Sequence, residues 1–464
     1  MQIHVLSFEG PDGYACAGGI ASRVTGLAES LAALGFDTHL WFVGDPALPG
    51  HETRGGLTLH RWCQWISRFH PGGVYDGEEG KRIDYAASVP PFLREELLPH
   101  LRKSEGATIL AEEWHTADAV LHLDWLLRVA GLRSRVNILW NANNTFGFDR
   151  IDWRRLARAS TITTVSRYMK HRMREWGVEA LVIPNGLTAD AFIPPPPRSV
   201  AELDRRFADR LLLTKIARWD PEKRWLMAIE IVARLKQEGA HPLLIARGGV
   251  EPYGGEVLAV AGAAGLRVVE RQNRQGVSDV LEALREVNGA DIVVLNSQVG
   301  PDSRRMLLQG AAAVLANSAH EPFGLVGLET MAVGGLACTG CSGEDYAMPG
   351  RNALVLQTAD PDEFLDLFGR LRANPNHESE IRKAARMTAK QYLWPDIIER
   401  NILPRIPLFN RQSAQPALAA AFQGHIDGPS GRETARHRDC VTSPWNETGP
   451  CLNSRGSAEA GGHH

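Results

Sequence analysis

Short apolar, β-branched runs alternate with stretches of helical spacing along the first 190 or so residues. The runs at 3–8, 38–43, 57–62, 108–112, 136–141, 162–166 and 181–184 read as strands. Helical stretches fall at 20–34, 92–102, 117–129, 152–159 and 167–176. In the first of them Val24, Leu27, Leu31 and Leu34 share one face, and Gly35 supplies an end. The pattern then repeats, with strands at 211–217, 242–246, 267–270, 292–295, 313–316, 336–338 and 353–356. Strands that alternate with helices specify βαβ units and parallel sheets. Between the two series stands Pro194-Pro195-Pro196-Pro197, read as a stiff extended linker, since proline continues neither a helix nor a central strand. The class is α/β: two Rossmann-like, doubly wound domains facing a central cleft. From residue 411 on, large apolar residues are too few to offset chain entropy, and that tail is expected to be disordered.

Composition narrows the classes. A chain of 464 residues suits two or three domains. Its 51 Lys and Arg against 54 Asp and Glu give a net charge of −3, which speaks against a dedicated nucleic-acid partner. No apolar run reaches the roughly 18 residues of a membrane span. Met1-Gln2 leads straight into a strand, with no basic leader region, and six cysteines make no disulfide framework. The expected location is the cytoplasm.

Four motifs carry candidate chemistry. In His320-Glu321-Pro322-Phe323-Gly324-Leu325-Val326-Gly327-Leu328-Glu329, two glutamates flank a strand-to-helix turn. Pro322 suits a first helical turn, Gly324 admits a ligand close to the backbone, and free amides at a helix start bind phosphate. The bland alternative is a capped core helix with two surface acids. Arg218 and Lys223, after a strand, suit a diphosphate clamp or a solvated basic turn. Gly18-Gly19 open a helix after the first strand, as a phosphate loop or a plain tight turn; the loop is not GxGxxG. Glu112-Glu113-Trp114-His115 closes another strand, where open α/β sheets collect ligands.

Together with Thr164-Val165-Ser166 and Ile183-Pro184-Asn185-Gly186, these residues resemble a family. From about Ile3 to Leu403 the chain is similar to the GT-B-fold retaining glycosyltransferases of family GT4 (group 1), related to glycogen synthases and sucrose-phosphate synthases. The resemblance implies an acceptor domain at 1–192, a nucleotide-sugar donor domain at 193–390, and a crossover helix at 391–410, around Gln391-Tyr392-Leu393-Trp394-Pro395, ahead of the 411–464 tail. It implies catalytic roles for His115, Glu321, Arg218 and Lys223. Donor binding would add Gly18, Gly19, Phe323, Gly324, Leu325 and Glu329, with Glu329 on the ribose hydroxyls. Trp114, Asn143 and Asn144 are acceptor candidates, and Trp114 and Trp140 candidates for stacking on sugars. Ala17 stands where glycogen synthases carry lysine, which favours a small acceptor over polyglucan.

The implied reaction moves a hexose from a UDP-, GDP- or ADP-sugar to a hydroxyl of a small molecule, lipid or oligosaccharide. It retains configuration by front-face attack and requires no metal or other cofactor, because Arg218, Lys223 and a helix dipole meet the leaving diphosphate. A phosphorylase of the same fold, or a non-catalytic sugar-nucleotide binder, are the alternatives. Base-reading loops are placed at Arg247-Gly248-Gly249 and Gln272-Asn273-Arg274. Cys338-Thr339-Gly340-Cys341 is read as packing, and Arg304-Arg305 as solvated charge.

Removing 411–464 is expected to preserve melting temperature and activity. Cutting back to Trp394 removes Ile397, Ile398, Ile402, Leu403 and Ile406 and should destabilise the chain. Paired melting curves of the two truncations check this; a large loss on the shorter cut makes the tail structural.

Overall fold

The computed structural model describes residues 1–103, 106–287 and 289–406. The expected 411–464 tail lies outside the described residues, as does the end of the 391–410 segment.

The first sheet has eight strands: β1 (Gln2–Leu6), β2 (Asp37–Val43), β3 (His51–Arg54), β4 (Leu57–Trp62), β5 (Ala107–Glu112), β6 (Val136–Ala142), β7 (Thr161–Thr164) and β8 (Leu181–Val182). Their order is β3-β4-β2-β1-β5-β6-β7-β8. All pairings are parallel except the β3–β4 hairpin. Helices cover both faces, so β1 and β5 are buried throughout and read as continuous apolar runs. The β3 strand was not expected. Its four residues are polar and mostly exposed, so apolar alternation gives no signal. The signal is Gly55-Gly56 between Arg54 and Leu57, both at positive φ (52° and 87°), as a two-residue hairpin turn requires.

The second sheet holds β9 (Leu211–Ile216), β10 (Pro242–Arg247), β11 (Val268–Arg271), β12 (Ile292–Leu295), β13 (Ala313–Ala316), β14 (Ala337–Thr339) and β15 (Leu354–Val355), in the order β11-β12-β10-β9-β13-β14-β15, all parallel. Strand order reverses between β1 and β5 in one sheet and between β9 and β13 in the other. Each reversal opens a crevice at the strands' carboxyl ends.

Two expectations about proline are corrected. The helix expected at 92–102 runs over Glu78–Arg102, with Pro90, Pro91 and Pro99 inside it. Its stripe of Lys81, Tyr85, Val89, Leu93, Leu97 and Leu101 is buried at four-residue spacing, and that packing outweighs the lost backbone bonds. Pro197 does not belong to an extended linker: it occupies the first turn of the Pro197–Arg206 helix, where its missing N–H costs nothing.

The chain's return joins the two halves. Leu187 N–H donates to Tyr392 O (2.7 Å) and Trp394 N–H to Leu187 O (3.0 Å). Trp394 fills the space left by Gly26 and Gly186; a Cβ at Gly186 would lie 2.4 Å from its ring. Trp394, Ile397, Ile398, Ile402, Leu403 and Ile406 pack with Ile3, Val5, Val24 and Leu27 of the first half.

One polar feature crosses the first sheet's core. His4 of β1 stacks on His39 of β2 at 4.5 Å. His39 Nδ1 lies 2.9 Å from His60 Nε2, and His60 Nδ1 lies 3.0 Å from His51 Nδ1. Each such nitrogen pair shares one proton, and burial favours uncharged rings. Burial pushes His4 well below the usual imidazole range and His39 below it, and takes His60 down to about 3. A depressed histidine contributes stability that is present in full above the unfolded value near 6.5 and is lost as pH falls toward the folded value. The melting temperature is therefore expected to fall between pH 6.5 and 4, and less steeply in His60→Gln. Melting curves at several pH values check this; equal slopes in both proteins remove the ladder from the acid response.

Candidate active site

The β9/β13 crevice gathers the second half's candidates. After β9, Asp220 accepts from the Glu222 amide (2.8 Å) and caps a single turn, Pro221–Lys223. That turn carries Lys223 toward the loop after β13, where Lys223 Nζ meets Glu321 Oε2 at 2.5 Å. The Ser318 hydroxyl donates to the same oxygen (2.8 Å), and the Glu321 amide donates to Ser342 Oγ (2.8 Å). Arg218 is 63% exposed, and its guanidinium lies 3.8 Å from Asp220 rather than on Glu321. The helix begins at Leu325, so Pro322 lies before it rather than in its first turn, and Glu329 lies little more than one turn inside. Gly324 caps the helix at φ +81°; a Cβ there would strike Glu344 Cγ at 2.7 Å. Phe323 is buried against Tyr346 and Tyr392, so only its backbone can reach a ligand.

Beneath this loop Lys215 is buried inside β9. Its ammonium donates to Leu315 O (2.9 Å) and Asn317 Oδ1 (2.8 Å), pinning the exit of β13 toward Glu321. Burial takes Lys215 down to about 7. Glu329 pairs with Arg304, so Arg304 is not the solvated charge expected of it. Arg247, at the end of β10, is held below the usual guanidinium range by burial and then by Arg304. Asn273 spends its side chain on the 297–298 backbone, accepting from Ser297 N (3.0 Å) and donating to Gln298 O (3.1 Å).

On the first half, the Gly18-Gly19 helix start already holds a carboxyl group. The amides of Gly18 and Ala21 both donate to Glu9 Oε2 (3.0 Å each), and the Tyr75 hydroxyl donates to Glu9 Oε1 (2.5 Å). The Gly18 amide is thus spent within the protein, whereas Gly19 faces the second half: a Cβ there would lie 3.7 Å from Leu325. His115 stacks on Phe8 (4.3 Å), with its Nε2 at 2.7 Å from Glu78 Oε1 and its Nδ1 buried without a partner. Burial lowers it despite that glutamate. Glu113 sits at φ +69°, ψ 164°, a region few residues other than glycine adopt, and burial pushes its carboxyl up to about 8. Asn143 N donates to Glu113 Oε1 (2.6 Å), and Asn143 Nδ2 to Glu112 Oε2 (2.8 Å). Arg23 also binds Glu112 (3.0 Å).

These bonds tie Asn143 into a buried network, and Asn144 Oδ1 accepts from Phe146 N (2.8 Å). Trp140 is fully buried and bonds to Glu113 O, which removes it as a sugar platform. The Trp114 ring carries the Arg150 guanidinium at 4.5 Å and packs on Gly147. The structure thus joins Lys223, Glu321 and Ser318 directly, and brings Gly19 against Leu325. Leu325 and Glu329 also line a cleft of about 800 Å³, with Ser22, Thr25 and the 185–188 segment. Cys338 is buried with its thiol pushed up to about 12, as a packing residue would be. Sequence reasoning missed Lys215, Arg304 and Glu344. Only Lys215, a lone cation inside an apolar strand, left a readable signal.

Residues 17–191 match the family model Glycosyltransferase Family 4. No curated protein sequence matches the chain. Sucrose-phosphate synthase from Thermosynechococcus elongatus superposes with a TM-score of 0.59 at 19% identity, covering 90% of this chain and 99% of its own. The UDP-forming α,α-trehalose-phosphate synthase from Burkholderia vietnamiensis gives 0.58 at 14%, covering 87% and 98%. Anabaena HepE, solved with UDP and glucose, gives 0.54 at 14%, covering 90% and 100%. The fold is GT-B. By its 17–191 domain the chain is a glycosyltransferase. No helix among the described residues is long and apolar enough to cross a membrane.

Lys215→Met is expected to leave Leu315 O and Asn317 Oδ1 without their donor and to destabilise the chain by about 1–3 kcal/mol. Denaturant titration measures this; an equally stable variant would make Lys215 dispensable to the β13 exit.

Proposed function

We propose that this protein transfers a hexose from a nucleoside-diphosphate sugar to a hydroxyl acceptor with retention of configuration. The observation that carries the reading is the Lys223–Glu321 pair at the β9/β13 crevice, next to the start of the Leu325–Ala332 helix. A sugar nucleotide reacts when charge on its departing diphosphate is met. Arg218, Lys223 and the amides near Gly324 supply positive potential there, in place before the reaction begins. Glu321, held by Lys223 and Ser318, orients the donor sugar, and Glu329 takes the ribose hydroxyls beside Arg304. His115, on the first half, meets the sugar from the acceptor side. A donor phosphate oxygen takes the acceptor proton in a front-face displacement. The two cations make a metal unnecessary. Closure of the halves excludes water and limits hydrolysis.

UDP-sugars are the first donors to test, because HepE was solved with UDP and glucose and the Burkholderia synthase is UDP-forming. A panel of UDP-, GDP- and ADP-sugars, scored by thermal shift and by nucleotide release with and without a chelator, tests the reading. At least one donor should stabilise the protein and turn over regardless of chelation. Release that depends on inorganic phosphate would instead indicate a phosphorylase. Arg218→Ala and Lys223→Ala should each weaken binding of the free diphosphate by about 1.5–3 kcal/mol in calorimetry, the loss of one charge-assisted bond. Unchanged affinity in both places the diphosphate elsewhere.

A further inference from the structure

Glu344 lies in the loop after β14, and its side chain is packed under the turn that starts the Leu325–Ala332 helix. It is 5% exposed. Its Oε2 accepts from the Ser342 amide (3.2 Å) and lies 3.4 Å from the Ser342 hydroxyl. That hydroxyl oxygen accepts from the Glu321 amide (2.8 Å) and lies 3.3 Å from Glu321 O. Glu344 is thus one side chain removed from the peptide that sets Glu321. Its other oxygen, Oε1, is sealed from solvent and has no hydrogen-bond partner. The turn packs closely on it: a Cβ at Gly324 would meet Glu344 Cγ at 2.7 Å, and one at Gly340 would lie in ordinary contact with Oε1.

The charges facing Glu344 decide its state. On the loop after β13 stands Glu321, whose carboxylate draws Lys223 to itself. On its own loop stands Tyr346, whose hydroxyl donates to Gly324 O. Among the described residues no lysine, arginine or histidine pairs with Glu344. An ionised carboxyl here would be a buried charge without a counter-ion, beside a second carboxylate. Burial, and then repulsion from Glu321, push it up to about 8.

We propose that Glu344 is a positioning residue for Glu321 that works as the uncharged acid. Neutral, it holds Ser342, and through Ser342 the Glu321 peptide, without adding charge to the donor site. Ionised, it sets a second negative charge against Glu321 and against the donor's diphosphate. The inference rests on the reading of Glu321 as the donor-sugar contact, and it assigns the alkaline limit of the reaction to a residue that does not touch substrate.

Two measurements test it. Infrared difference spectra of the whole protein across pH 6 to 9.5 should show a protonated carboxylic acid C=O band that disappears near pH 8, part of which is absent in Glu344→Gln. Buried Glu113, raised to about 8, also contributes, so Glu113→Gln is the control. In the pH profile of kcat/KM with the best donor, the wild type should decline above about pH 8. Glu344→Ala should lose about tenfold or more at pH 7, mainly in kcat. Glu344→Gln should recover most of that loss and show no decline above pH 8. A band unaffected by Glu344→Gln shows an ionised Glu344 and overturns the proposal. So does an alkaline decline that survives Glu344→Gln, or a Glu344→Ala variant with wild-type kinetics. If no donor turns over while the band is present and sensitive to Glu344→Gln, the transferase reading fails and the buried acid stands.

Discussion

The return of the chain at Trp394 is the constraint on which the arrangement depends. A cleft enzyme built from two sheets needs its halves close enough to share a substrate and free enough to admit it. Here the polypeptide crosses from one half to the other twice, and the crossings bond to each other through Leu187, Tyr392 and Trp394. The indole takes up the volume that Gly26 and Gly186 leave empty, one on the helix after β1 and one on the first crossing. Any side chain at either glycine would push the return segment off the first domain. A small number of residues at the hinge thus sets how the β1/β5 crevice meets the β9/β13 crevice.

The fold was legible because parallel strands buried on both faces leave long apolar runs, and helices such as Ala117–Val129 keep a regular stripe. What escaped was structure whose cause lies elsewhere in the chain. The prolines at 90 and 91 argue locally against a helix before residue 92, and only the packing of its buried stripe shows why one forms. β3 has no apolar face and exists because Gly55-Gly56 folds it back on β4. The site divides in the same way. Lys223 and Glu321 are 98 residues apart, yet each lies in a recognisable loop, and the structure joins them. Arg304 and Glu344 lie in unremarkable stretches, and their relation to Glu329 and Glu321 exists only in three dimensions.

Contacts between the two halves are of two kinds. Asp345 accepts from the Arg167 amide (2.8 Å) and from its Nε (3.0 Å), so a carboxylate of the second half reaches the first turn of the Arg167–Arg174 helix. Arg167 is exposed and Asp345 half-buried, and an ion pair open to solvent on one side is worth little alone, roughly 0–1 kcal/mol. It can break and reform at small cost, whereas the Trp394 packing is apolar and buried.

On the function proposed, a diphosphate would bring two or more negative charges into a cleft with several glutamates on and around it. Were all of them ionised, their repulsion would offset what Arg218 and Lys223 contribute. Burial removes that conflict. Glu9, Glu113 and Glu344 are all raised by desolvation, Glu113 and Glu344 to about 8. Glu321 and Glu329 keep cations of their own, Lys223 and Arg304. Lys223 and Arg304 bond to Glu321 and Glu329, whereas Glu113 and Glu344 accept from backbone amides. On the function proposed, that division would leave positive potential available to the leaving group.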